Sequence, residues 1–130
     1  NIDLEKVMEF HFKKDADITV VYTLAPKLSE KELEKHILFD VDVKGGCNLK
    51  KYYGERALFI FVQAPSIEVL RERLVGRGDT LPEEIERRVS KAEYEMTFSK
   101  FADRVIVNDD LETAKRDVLA VVEKFLNGED

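Results

Sequence analysis

Apolar residues Ile2, Leu4, Val7, Met8 and Phe12 recur at roughly helical spacing, with Asp3 available as a cap, so an amphipathic helix is expected to open the chain. A strand is expected over 17–23, where β-branched and aromatic residues concentrate, ending at the Ala25-Pro26 turn. Ser29 reads as the N-cap of a short helix from Glu30 to His36, with Glu32 in the capping-box position. The run from Ile37 to Val43 reads as a buried strand interrupted by Asp40 and Asp42 and stopped by Gly45-Gly46, with a helix over Asn48 to Tyr53. Ala57 to Val62 is continuously apolar between Gly54 and Pro65, as a central strand covered on both faces should be. Ser66 is expected to cap a helix through about Val75, and Pro82 to sit in the first turn of another reaching about Phe98. The last strand is expected over 104–108 and the last helix from Leu111 to Leu126, capped by Asp109 or Asp110.

Strands alternating with helices predict a three-layer α/β/α fold with a mainly parallel sheet of about four strands. Ligands in such sheets lie at the carboxyl ends of strands, and those ends carry Asp42, Gln63 and Asn108. The 130 residues fit a single domain, 1–130, with 1–36 an atypical helix-strand-helix opening and 37–130 the core.

Composition narrows the function classes. Hydrophobic residues at 44% beside charged residues at 37% exclude a disordered tail. A net charge of -6 argues against nucleic-acid or anionic-membrane partners, while leaving room for local arginines to hold a small anion or nucleotide. Cys47 is the single cysteine, so no intramolecular disulfide can form, and no run approaches about 18 apolar residues. A cytoplasmic protein without a signal peptide is the expectation. His11 and His36 have no metal-ligand spacing with each other or with Cys47.

Chemistry-bearing residues fall in three places. Arg71 to Arg88 holds five arginines around a Gly76-Arg77-Gly78 turn. Arg73 and Arg77 share a helical face, and with Arg88 across the turn they could close on polyphosphate as a lid. Surface pairing of Glu83 with Arg87 and Glu84 with Arg88 is the competing account. Asp40 and Asp42, two apart on a strand, would point to one face and could turn toward magnesium or nucleotide, or Asp42 could simply lie at the solvated strand end while Asp40 caps a neighbouring backbone. Asn108 could read an adenine edge, though Asn108-Asp109-Asp110 also suits a helix cap.

Taken in order, the 37–46 strand, ALFIFVQAPS, LRERLVGRGDT, ERRVSKAEYEM and DRVIVNDDLE resemble the C-terminal half of guanylate kinases over about residues 37–127. The resemblance implies a P-loop NTPase-like core and phosphate transfer from magnesium ATP to GMP. It implies lid arginines at Arg73, Arg77 and Arg88, an adenine-side Asn108, and Asp40 and Asp42 on the magnesium and GMP side.

The first 36 residues depart from that pattern. Residues 23–32 stand where GxxGxGK[ST] is expected. Lys31 can be matched to the phosphate-binding lysine, but every glycine is missing. The GMP-binding insert is absent too, since Lys35-His36 runs directly into Ile37. Residues 1–23 look similar to a piece of a sugar-nucleotide pyrophosphorylase of the ADP-glucose type. The resulting expectation is an engineered or recombined chimera without kinase activity, with at most weak anion or nucleotide binding. An ATP:GMP phosphotransferase and a non-catalytic protein-interaction module are the alternatives. Mg and ATP are implied only if kinase-like activity is present.

Overall fold

The computed structural model describes residues 19–24 and 36–128. The elements are β1 (Thr19–Leu24), β2 (His36–Val41), α1 (Val43–Tyr53), β3 (Ala57–Gln63), α2 (Ile67–Gly76), α3 (Pro82–Met96), β4 (Arg104–Val107) and α4 (Leu111–Leu126), with short 3-10 turns at Gly54–Arg56 and Ser99–Phe101. The expected opening helix, the Ala25-Pro26 turn and most of the 30–36 helix lie outside the described residues; His36 itself begins β2.

The four strands form one sheet in the order β2-β1-β3-β4. β3 and β4 pair in parallel, while β1 lies antiparallel between β2 and β3. β2, β3 and β4 therefore run in one direction, as an α/β fold requires, but only one neighbouring pair is parallel. The expected α/β fold with a four-stranded sheet whose strands mainly run in parallel is present, β1 being the one strand that runs the other way.

β3 is the centre of the packing. Its first six residues are buried, and alternate side chains serve opposite layers. Leu58, Ile60 and Val62, joined by Ile106 of β4, meet Ala114, Val118 and Val122, spaced four apart along α4. Phe59 and Phe61 face the other way, into a cluster with Val43, Leu49, Met96 and Phe98. The α2–α3 hairpin has a small core of its own in Leu70, Leu74, Ile85, Val89 and Ala92. Gly78, at φ 74, makes the left-handed bend between these helices.

Caps set the helix starts. The Ser66 hydroxyl accepts from Val69 N at 3.1 Å, and an Asp110 carboxylate oxygen accepts from Thr113 N at 3.1 Å and from the Thr113 hydroxyl at 2.7 Å. α1 starts earlier than the sequence reading allowed. β2 stops at Val41, and Asp42 caps α1 by accepting from Gly45 N at 2.8 Å, so Gly45-Gly46 lie inside the helix instead of ending the strand. A Cβ at Gly45 would come within 3.0 Å of Val41 Cβ and 3.1 Å of Asp42 Oδ1. Glycine is needed there because the helix begins pressed against the strand that feeds it.

Gly45→Ala should therefore lower the melting temperature, the clash outweighing the usual helix-propensity gain of about 1 kcal/mol. Gly76→Ala, where an added Cβ meets nothing within 4 Å, should leave the protein as stable or more so. Paired thermal melts of the two variants check this.

Hydrogen bonding from the Thr113 hydroxyl, then from its backbone N–H, holds the Asp110 carboxyl below its ordinary value. With the folded value depressed, the stabilisation is fully present above the ordinary aspartate value of about 3.9 and is lost as pH falls through the lowered one. In acid melts followed by circular dichroism, Asp110→Asn, which keeps the cap, should show a weaker stability dependence below about pH 4 than the parent.

Candidate functional site

The carboxyl ends of β2, β3 and β4 lie along one end of the sheet and lead into Asp42, Gln63 and Asn108. The Asn108 N–H donates to Gln63 O at 2.7 Å, extending the β3–β4 pairing one step beyond the strand. Asp42 follows the β2 edge and Asn108 the β4 edge. Three interstrand steps separate them, about 14 Å at ordinary sheet spacing. A ligand touching both would have to cross the tops of β1 and β3.

Over the Asn108 side stands the α2–α3 hairpin. Arg73 donates from Nη1 to Asn108 O at 2.8 Å and from Nη2 to Asp109 O at 3.2 Å. Its guanidinium fork thus clamps two successive carbonyls at the start of the loop between β4 and α4, instead of pointing free toward a phosphate. One turn further along α2, Arg77 caps the helix and lies 3.8 Å from Asp79 Oδ1. Arg88 Nε lies 3.5 Å from Glu84 Oε1. Arg77 and Arg88 line one cleft of about 350 Å³ with Asp79, Thr80, Leu81 and Glu84.

The expected surface pairing on α3 is partly present with a different partner. Arg87 bonds Glu84, with Nε to Oε2 at 3.1 Å and a second, closer contact from Nη2, instead of bonding Glu83. These bonds, with help from Arg88, hold the Glu84 carboxyl below its ordinary range. Arg71 crosses the hairpin to Glu86, tying α2 to α3.

The structure thus joins Arg73 to Asn108 and Arg77 to Arg88, and leaves Asp42 at the far side of the sheet. Asp42 is exposed and caps α1, so it does not continue β2 alongside Asp40. Asp40 pairs in register with Val20 of β1. Lys31 lies outside the described residues. Among the described residues no group of three or more His, Cys, Asp or Glu could hold a metal ion, and no helix is long and apolar enough to cross a membrane.

A second constellation escaped sequence reading. Lys50 Nζ donates to Ala57 O at 2.7 Å and pairs with Asp103 Oδ2 at 2.9 Å, and the same oxygen accepts from Phe59 N at 2.8 Å. Phe59 O in turn accepts from Asp103 N at 2.9 Å. The sequence reading left Lys50 on an amphipathic face, and no local signal links it to a residue so far along the chain.

The fold is that of an α/β protein with a helical hairpin standing over the loop after β4. A guanylate kinase family model matches residues 21–125. The chain is 67% identical over 102 residues to a guanylate kinase of Bacteroides thetaiotaomicron, covering 77% of this chain and 50% of that one. It is 47% identical over 92 residues to a guanylate kinase of Chlorobium chlorochromatii, covering 71% and 48%. A guanylate kinase of Salinibacter ruber is 37% identical over 105 residues, covering 81% and 56%. The chain belongs to the guanylate kinase family.

This overturns the expectation of a chimera without kinase activity. The family match spans residues 21–125, including the 23–32 stretch that lacks the glycines, and every relative named here is a guanylate kinase. The similarity of residues 1–23 to a pyrophosphorylase finds no support. The chain spans about half the length of the curated relatives it matches.

If Arg73 ties the hairpin to the strand-end loop, Arg73→Ala should cost about 1.5–3 kcal/mol and speed amide exchange at Asn108 to Asp110. Arg73→Lys should restore little, since an ammonium cannot fork across two carbonyls. Hydrogen exchange read by mass spectrometry or NMR checks both.

Proposed function

We propose that this chain forms the lid and strand-end portion of an ATP:GMP phosphotransferase, a guanylate kinase. The observation that carries this reading is the cleft at the α2–α3 turn lined by Arg77 and Arg88, in a chain whose relatives bear that name. Phosphoryl transfer depends on positioning and on neutralising charge spread over phosphate oxygens, and two guanidiniums facing one cleft supply both. Arg77 and Arg88 engage the ATP phosphates. Asn108 serves the adenine side, and Arg73 acts as a positioning residue by holding the backbone of that loop.

Magnesium in such sites is held by one or two carboxylates together with substrate phosphates, so the lack of an acidic cage among the described residues is compatible with it. Asp40 and Asp42, at the end of β2, would hold it. When bound it neutralises phosphate charge. Asp42 meanwhile keeps one oxygen on Gly45 N, which fixes the carboxylate at the start of α1. The family's glycine-rich phosphate loop and guanine-selecting insert are not among these residues, so the assignment extends to the lid and strand ends alone.

Titration with magnesium ATP should give saturable amide shifts at Arg77, Arg88 and Asn108. Arg77→Ala and Arg88→Ala should each weaken binding by about tenfold, about 1.4 kcal/mol. Binding unchanged in both variants, or no saturable shift in the parent chain, would sink this reading.

A further inference from the structure

The two lid arginines do not wait in the cleft with their charge exposed. Arg77 stands beside Asp79, and Arg88 beside Glu84, and both acids line the same cleft as the arginines. Any polyphosphate entering must take guanidinium hydrogen bonds that carboxylates now occupy or attract. The two acids are held differently. Asp79 is largely exposed, with 70% of its side chain accessible, whereas Glu84 is 35% accessible and belongs to a second arginine as well. Arg87 grips Glu84 through both carboxylate oxygens, the closer and better oriented of the two arginine contacts.

We propose that Glu84 is a built-in counterion of the lid, passed between Arg88 and Arg87, and that it sets the affinity of the cleft for polyphosphate. In the unliganded protein Glu84 bridges the two arginines. When phosphate oxygens reach Arg88, its guanidinium turns to them and Glu84 stays with Arg87, so no carboxylate is left unpaired beside the incoming anion. Arg87 thereby acts as a positioning residue that draws a negative charge away from the ligand. Without it Glu84 would have Arg88 as its remaining partner and would compete with phosphate directly. The cleft binds polyphosphate more weakly than its two arginines could, which eases release after transfer. This inference rests on the cleft being the phosphate-binding lid.

Two substitutions predict opposite signs. Glu84→Gln removes the competing charge and should tighten binding of inorganic tripolyphosphate and of magnesium ATP by roughly three- to tenfold, an effect that shrinks as salt rises. Arg87→Ala leaves Glu84 on Arg88 and should weaken both by a similar factor. Calorimetric titration of the 130-residue chain and its variants measures these affinities, with thermal melts confirming that each is folded. Independently of any ligand, Glu84→Gln should shift the side-chain Nε–H resonances of both Arg87 and Arg88. If Arg77→Ala and Arg88→Ala leave tripolyphosphate binding untouched, the lid assignment itself fails. If those variants weaken binding while Glu84→Gln and Arg87→Ala change it in the same direction or not at all, the counterion role alone is overturned. A resonance shift at Arg87 without one at Arg88 overturns it as well, whatever the affinities.

Discussion

Everything in this fold hangs on β3 being buried from both sides. A strand with Leu58, Ile60 and Val62 on one face and Phe59 and Phe61 on the other cannot be satisfied by a single layer, so α4 must cover one face while α1 and the end of α3 cover the other. Each such side chain contributes about 1.5–3 kcal/mol when fully removed from water. The polar cost is met at the strand's start, where Asp103 takes the Phe59 N–H with its side chain and gives its own N–H to Phe59 O, and Lys50 balances the carboxylate. That anchor lies just ahead of the Ile60–Arg104 pairing and so sets the register from which β4 delivers Asn108 to the functional end.

The hairpin obeys a different rule. Most of its apolar residues are spent on each other, and several of its charged residues pair along its outer faces: Arg71 with Glu86, Arg77 with Asp79, and Arg87 and Arg88 sharing Glu84. An element with a core of its own, attached to β3 through the end of α3, can shift at its far end while keeping its fold. Such an element suits a task in which a ligand must be admitted, surrounded and let go.

Much of this was legible locally. Ser66, Pro82 and Asp110 announced their helices because caps and periodicity act within one or two turns, and the unbroken run from Ala57 to Val62 announced a strand with two covered faces. Legibility failed where the deciding contact was distant or steric. The direction of β1 depends on which strand it returns to, which its β-branched composition does not encode. Gly45 and Gly46 looked like breakers, because the reason for Gly45, the nearness of Val41, exists only once the chain has folded back. At the site, the arginines were visible through their spacing and family pattern. Arg73's true partners, two backbone carbonyls on another element, carry no side-chain signature at all. The absence of a glycine loop from residues 23–32 said little about activity, in a chain that spans about half the length of the relatives it matches.

The Arg73 clamp also has a mechanical meaning. A helix fastened to the strand-end loop at residue 73 cannot slide freely at that point, so any swing of the hairpin is taken up beyond it. From Arg73 to Arg77 is four residues, about 6 Å of helix. The clamp is thus the fulcrum of a short, stiff lever. With a fulcrum that close, a modest rotation moves the Arg77 guanidinium by a bond length or two while the loop at Asn108 and Asp109 stays still. Under the roles proposed above, the arginine cleft at the helix end can shift without disturbing the loop after β4.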